Sequence, residues 1–423
     1  MLRTVFVIIL IIIGAGASFY GSFNALMFYL WVAYFRPDTW IWSRFLITYK
    51  LSFFVGIFLL LSTFITRVKF RFTLFAGLLS LASIHSLISV VQSDYSDVAF
   101  SYWTEFIIVV VISYLITMLV QSEKDLKITL TVITLSLGLE GAKQGWFHLM
   151  LSPGSPNNNQ HTVLGDNNGV AVGMLMLLPV LFALFQTTEK KLIKYGFLFL
   201  TIGVMYRALS TYSRGGFLAF LVMCIIYWLR SKNKLKLAIA TVLLFALILP
   251  TLPQAFWDRM DTITMNSEEM DASAAGRIYF WQIALEMVKD NPIFGVGHRA
   301  YNDAYRVYDR TEDRIARAVH SAWFGILAEW GFPGIILFLT IYSYSIYSCV
   351  KARRWCKNNP ESKSLSIYIN SIETSLITAS VGITFLAQQY LEMLWHFFAL
   401  AVVCNQIVRF NDETEGDRQK IAI

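Results

Sequence analysis

His320 is the residue best suited to proton chemistry in this 423-residue chain. It stands where a long polar segment, 251–320, gives way to an apolar run. There an imidazole reaches both water and lipid headgroups, and its ordinary pKa of about 6.5 suits proton abstraction near neutral pH. A polar boundary residue at the start of the next helix is the plainer explanation of a lone histidine. His298, in Gly297-His298-Arg299, and His161, in the 150–168 segment, are rival bases.

Arginines supply the complementary chemistry, the binding of an anion. Arg214 sits in Ser213-Arg214-Gly215-Gly216, where backbone amides and a guanidinium can approach one anion together. Arg207 lies two helical turns earlier. An arginine within a span usually faces a partner or a polar cavity, although snorkelling to the interface explains it equally well. Arg277, in Gly276-Arg277, opens a helix and can bind an anion or remain a solvated loop charge. Arg306, Arg310, Arg314 and Arg317 are spaced by four, four and three, so they share one face of a helix expected over about 300–317. Asp309 and Asp313 can pair with them, which makes a solvated, salt-bridged helix the simpler reading. An electropositive face near His320 is the alternative, with Arg314 and Arg317 touching substrate.

Asp166-Asn167-Asn168-Gly169 reads as an N-cap, and Asn168 could also meet an anion at that helix N-terminus. Glu140 and Lys143, three apart, can pair within a span. Asp258, Asp261 and Ser267-Glu268-Glu269-Met270-Asp271 offer hard oxygen ligands, but their spacing matches no metal loop. No metal and no cofactor are expected. Phosphate-loop, dinucleotide and zinc-protease motifs are missing from the sequence.

The elements that must position these groups are membrane helices. The chain is 56% hydrophobic and only 15% charged, whereas soluble chains carry about 25% charged residues. Apolar runs long enough to span a bilayer recur, and they are continuous rather than alternating, which excludes a barrel. Expected spans are 4–35, 46–65, 72–91, 102–120, 126–149, 169–186, 192–209, 215–230, 236–250, 321–349, 366–387 and 391–408. The net charge of +7 does not imply nucleic acid, because the basic residues lie in alternate loops. Seventeen of them, from Arg67/Lys69/Arg71 to Lys351/Arg353/Arg354/Lys357/Lys363, fall on one side; the opposite short loops hold only Arg36, Arg44 and Arg214. The positive-inside rule makes the first set cytoplasmic.

Segment 251–320 then lies outside, as a helical loop domain between helices 1–9 (1–250) and helices 10–12 (321–410), with a cytoplasmic tail at 411–423. For Arg3 also to be cytoplasmic, 4–35 must cross once, as a long span broken near Gly14, Gly16 or Gly21. That gives an all-α polytopic fold of about twelve spans. Cys224, Cys349, Cys356 and Cys404 lie in spans or on the cytoplasmic side, so no disulfide is expected. Within the loop, Ser273 is a candidate cap for a helix over about 275–290. Ile278, Trp281, Leu285 and Val288 form its apolar stripe, and Asn291-Pro292 ends it.

Four pieces in order carry a resemblance: Ser213-Arg214-Gly215-Gly216; Gly276-Arg277; Asn291-Pro292-Ile293-Phe294-Gly295-Val296-Gly297; and His320-Ser321 followed by Leu327-Ala328-Glu329-Trp330-Gly331-Phe332-Pro333-Gly334. Together they resemble the O-antigen ligase and O-antigen polymerase superfamily. Tyr34-Phe35-Arg36-Pro37 is similar to ligases of the exosortase-associated O-glycosylation type. The family often has Asn after the loop-end His, where this chain has Ser321, and many relatives lack a histidine at position 298.

The resemblance implies a metal-independent glycosyltransferase of the GT-C type in the bacterial inner membrane, with its active site facing the periplasm. It implies an undecaprenyl-pyrophosphate-linked glycan as donor and a lipid A-core sugar hydroxyl as acceptor, with membrane lipids as surroundings. His320 would be the base, and Arg214, Arg277 and Arg207 would bind the pyrophosphate. A polymerase or a protein O-glycosylation ligase using the same donor is the near alternative. A lipid-linked glycan flippase or transporter is the alternative from another class, and it would show paired halves, which this sequence does not.

Overall fold

The computed structural model describes residues 2–40, 51–153, 155, 160–248, 257, 272–311 and 315–421. Among them the chain is helical and contains no strand. The helices are α1 (Leu2–Ser18), α2 (Ser22–Phe35), α3 (Leu51–Ile65), α4 (Leu74–Val91), α5 (Ser96–Leu119), α6 (Glu123–Leu151), α7 (Asn167–Thr187) and α8 (Lys191–Leu209). They continue with α9 (Arg214–Arg230), α10 (Lys234–Ile248), α11 (Ala272–Asp290), α12 (Tyr301–Tyr308), α13 (Ala322–Asn358), α14 (Lys363–Ile383) and α15 (Glu392–Ile421). Six of the described helical stretches are long and apolar enough to cross a membrane: Leu74–Val91, Ser96–Leu119, Asn167–Thr187, Lys191–Leu209, Ala322–Asn358 and Glu392–Asp412. The protein is thus a multi-pass, all-helical membrane protein.

Helix α7 is buried on nearly every face from Val170 to Leu184 and forms the centre of the bundle, as expected of a helix that is apolar all round. Helix α8 packs tightly on α6, because a Cβ on Gly145 would collide with the Gly203 carbonyl.

Side-chain ties collect the basic loops at one end of the bundle. The Tyr114 hydroxyl donates to the Arg71 carbonyl at 3.0 Å, and Ser364 bonds Glu123. Arg230 and Arg353 both pair with buried Glu373, at 2.8 and 3.0 Å.

The first segment departs from expectation. Residues 4–35 do not make one crossing; α1 and α2 form an antiparallel hairpin. Phe28 lies directly against Gly14. Arg3 donates to the Thr39 carbonyl at 3.2 Å and lies 4.9 Å over the Trp40 ring. The turn at Gly21 sits beside Lys69 and Arg71. Gly21, with φ 146, permits the reversal. Arg3 therefore lies at the end opposite the basic loops, and the twelve-span count loses the odd crossing on which it rested. At the other terminus, the polar tail continues α15 to Ile421.

Helix α13 is interrupted where Gly331 takes φ 69, ahead of Pro333. Each backbone group freed within a membrane must find a partner. His85 Nε2 meets the Trp330 carbonyl at 2.7 Å, and the Ser89 hydroxyl donates to the Glu329 carbonyl at 2.8 Å. The Asn291–Gly297 turn docks on the same break. Val296 N–H donates to the Ala328 carbonyl at 2.9 Å, Gly297 N–H to the Glu329 carbonyl at 3.3 Å, and Phe332 N–H to the Pro292 carbonyl at 2.8 Å. Two sequence motifs thirty residues apart are thus one structural joint.

Outside the bundle, α11 and α12 share a second small core of Ile283, Met287, Tyr301, Tyr305 and Val319. The predicted helix over 275–290 is present, and half of its stripe holds: Val288 is buried and Trp281 packs against this core, while Ile278 and Leu285 are exposed and Ile283, Ala284 and Met287 are buried instead. The Ser273 side chain lies outside the described residues, as do Asp258, Asp261, 267–271 and Arg314.

The second helix ends at Tyr308 rather than near 317, so the expected four-arginine face does not form. Asp309 causes the stop. Its carboxylate accepts from Thr311 N–H at 3.0 Å, the Thr311 hydroxyl at 2.6 Å and the Tyr279 hydroxyl at 2.8 Å, a local turn that competes with helix continuation. Arg310 turns back to pair with Glu286 at 2.7 Å.

Candidate functional site

His320 is half-buried at the junction between the polar segment and α13. Its φ is 48, in the left-handed region, a conformation that non-glycine residues keep only where surrounding contacts hold it. Those contacts come from α11. The Trp281 indole N–H donates to the Val319 carbonyl at 3.1 Å, and Trp281 stacks on Phe324 at 5.1 Å. The Phe280 ring lies 6.2 Å from the imidazole. Arg277 precedes Trp281 by one turn on the same helix, which brings its charge to bear on His320.

Burial lowers the His320 pKa first, the Arg277 charge lowers it further, and Asp166 pulls it back up. The imidazole is therefore held neutral near pH 7, ready to accept a proton. The three groups come from three different elements: the α11 helix, the cap of α7 and the α13 junction.

Asp166 caps α7, accepting from Gly169 N–H at 2.8 Å. Asn168 Nδ2 reaches Asp166 Oδ2 at 3.5 Å, so its contact is local. Asn167, not singled out from the sequence, makes the longer tie: its Nδ2 donates to the Thr211 carbonyl at 3.2 Å. That bond joins the α7 start to the turn before α9, where Ser213 caps Gly216 N–H at 3.2 Å and half-buried Arg214 is the first helical residue. Asp166 thus relates His320 to the N-terminal turn of α7, and Asn167 ties the turn that precedes Arg214 to the same end of that helix.

Other candidates lie elsewhere. Arg207 is buried on α8 and interacts electrostatically with Glu140, His148 and His161. Glu140 also meets Lys143 at 3.5 Å, the expected pair. Arg317 is exposed and acts on Asp309.

His298 is fully buried. Its Nδ1 accepts from the Trp330 indole N–H at 3.2 Å, so in the neutral ring the proton sits on Nε2 and no basic nitrogen is left over. Burial first and Arg299 second push its pKa down to about 3. This environment makes His298 a hydrogen-bond donor rather than a base.

A cavity of about 1190 Å³ opens beside this histidine. Its wall includes Arg36, Glu105, His298, Arg299, Glu329, Gln389 and Tyr390, and it extends to Ala318 and Val319, next to His320. His320, Arg214 and Arg277 do not line it. His320 and this cavity are thus neighbours, not one space. Buried Glu329 accepts from the Tyr390 hydroxyl at 2.7 Å and from Gln389 Nε2 at 3.1 Å. Arg299 lies 4.7 Å over Tyr102 and 5.9 Å over Tyr390, and it meets Glu105 at 3.8 Å. In the sequence Glu329 stands only as part of the Leu327–Gly334 piece, and Gln389, Tyr390 and Arg299 are not singled out. The available signal was a carboxylate inside an apolar run, which requires partners.

No curated protein matches the chain at a significant level. A family model described as O-Antigen ligase matches residues 196–339. The matched stretch contains Arg207, Arg214, Arg277, His298 and His320 and the joint between Asn291–Gly297 and Ala328–Phe332. The segment that carries the candidate base and the arginines is thus similar to the O-antigen ligase superfamily.

Proposed function

We propose that the protein is an O-antigen ligase, transferring a glycan from undecaprenyl pyrophosphate to a lipid A-core sugar hydroxyl. The reaction takes place at the periplasmic face of the bacterial inner membrane, within a GT-C type fold. The observation that carries this reading is the placement of His320, held neutral beside Arg277, at the α7 N-terminal turn that is tied to the Arg214 turn.

His320 takes the proton from the acceptor hydroxyl as its oxygen attacks the anomeric carbon. The bond from that carbon to the diphosphate oxygen breaks, and the configuration inverts. The diphosphate is already a good leaving group and needs no strong general acid. Positive charge from Arg214 and Arg277 stabilises the charge that develops on it. Arg207, buried behind this site against Glu140, His148 and His161, contributes to the field at longer range. No step requires a metal. A polymerase or a protein O-glycosylation ligase would use the same centre with a different acceptor.

The test is transfer from a synthetic undecaprenyl-pyrophosphate-linked glycan to purified core lipid by the detergent-solubilised protein, with and without EDTA. Transfer that persists in EDTA supports the proposal. Activity lost in EDTA and restored by a divalent ion overturns metal independence. Lipid movement across liposomes without any transfer overturns the enzyme.

A further inference from the structure

The end of the bundle where the basic loops gather holds a separate cavity of about 580 Å³. Its wall runs from the α1–α2 turn at Gly21 and Ser22, across the end of α3 and the segment that follows it, to the end of α5 and the start of α6. Local chemistry fixes the segment between α3 and α4. Arg67 takes φ 51, in the left-handed region, just past the last residue of α3. The Thr73 hydroxyl accepts from Ala76 N–H at 3.2 Å and caps α4. Between them, residues 68–73 are neither helix nor strand. The Tyr114 hydroxyl holds the Arg71 carbonyl at 3.0 Å, and Val68 packs on the main core. Lys69 and Arg71 are thereby kept in one wall of the cavity.

Charge is what this wall offers a ligand. The hydroxyls of Ser22 and Thr66 both donate to the Ser62 carbonyl, at 3.0 and 2.7 Å. The Asp125 carboxylate serves its own helix cap, accepting from Ser122 N–H at 3.1 Å and Gln121 N–H at 3.4 Å. Arg230 and Arg353, at the same end, are both paired with Glu373. Lys69 and Arg71 have no ion-pair partner among the described residues. Two cations against one carboxylate leave the cavity with an excess positive charge, the complement of a single phosphodiester. The surroundings favour a lipid over a free ion. Phe19 and Tyr20 precede the Gly21 turn, Phe70 and Phe72 alternate with Lys69 and Arg71, and all four rings are exposed. Exposed aromatic rings sit at the headgroup level of a bilayer, and basic pockets between helices at that level take anionic headgroups.

We propose that this cavity binds the headgroup of an anionic phospholipid, with Lys69 and Arg71 on its phosphodiester and the four exposed rings among the adjoining acyl chains. The bound lipid joins the α1–α2 turn to the segment after α3. The site lies apart from the His320 centre: His320 precedes the start of α13, and the cavity lies at the end where Arg353 closes that helix.

Native mass spectrometry of the full-length protein in detergent, titrated with phosphatidylglycerol or with phosphatidylcholine, reads the affinity for each lipid. The parent should hold phosphatidylglycerol more tightly. Lys69→Gln and Arg71→Gln should each weaken that binding about fivefold, and the double variant about thirtyfold, with phosphatidylcholine unaffected. Lys69→Arg combined with Arg71→Lys keeps both charges and should keep the parent's affinity. Lys190→Gln combined with Lys191→Gln removes two exposed charges from another basic loop, outside this cavity, and should also leave the affinity unchanged. Equal affinity of the parent for the two lipids, or the same loss in the Lys190/Lys191 variant as in the Lys69/Arg71 variant, overturns the proposal. Displacement of phosphatidylglycerol by an equal concentration of inorganic phosphate overturns the lipid as occupant and makes this a site for free phosphate.

Discussion

At the scale of single residues, His320 and His298 show how environment divides two identical side chains. Both stand in one seventy-residue polar segment, and sequence could only rank them as rivals. Three-dimensional packing separates them. His298 is enclosed by Trp330, Phe106 and Tyr390, while His320 keeps access to solvent between Arg277 and Asp166. A pH prediction follows from the signs. A general base works when neutral, so kcat/KM falls as pH drops through the His320 pKa. That pKa is depressed, and the acid limb should therefore lie below the ordinary imidazole value of about 6.5. Arg277→Gln removes a lowering charge and should move the limb to higher pH; Asp166→Asn removes a raising charge and should move it lower. The pH–rate profiles of the two variants check both directions, and a limb displaced the same way in both would show that His320 is not the titrating group.

At the scale of elements, much of the outline was readable. The helix over 275–290 and the N-cap at Asp166 follow from local chemistry and occur where expected. The buried face of α11 and the end of α12 were not readable, because each is decided at a distance. Val319 and Tyr301 choose which side of α11 is covered, and Tyr279 helps Asp309 stop α12 thirty residues later.

The joint at Gly331 is the element most exposed to substitution. Its φ of 69 favours glycine, and a Cβ there would come within 2.5 Å of the Pro292 carbonyl oxygen and 2.7 Å of the Ile293 carbonyl carbon. Gly331→Ala should cost about 1–3 kcal/mol or more of stability. Thermal unfolding in detergent should show the loss, together with weakened docking of the turn that carries His298. An unchanged melting temperature would mean that the joint relaxes freely.

At the scale of the whole molecule, charge in the loops groups the ends from Arg67 to Lys363, because membrane insertion acts on that pattern, and side-chain ties bring the ends at Arg71, Glu123, Arg230, Arg353 and Ser364 together. It failed for the first segment. A single Arg3 is a weak signal, and nothing local reveals that Gly14 receives Phe28 from an antiparallel partner. At 17 and 14 residues, α1 and α2 are short apolar helices, about 26 and 21 Å long at the helical rise. The hairpin predicts that single cysteines replacing Arg3 and Thr39 react with an impermeant thiol reagent from the same side as one replacing Arg317. A cysteine replacing Lys69 should be protected in the same intact cells. Opposite labelling of positions 3 and 39 would restore a single crossing.

The central claim is that His320 takes the proton from the acceptor. It is tested most directly by the turnover of purified His320→Ala beside His298→Ala, at saturating donor and core-lipid acceptor. Loss of a general base predicts a fall in kcat of about 10²–10⁴-fold for the first, with kcat largely retained in the second. Normal turnover by His320→Ala, with turnover abolished in His298→Ala, would contradict the account.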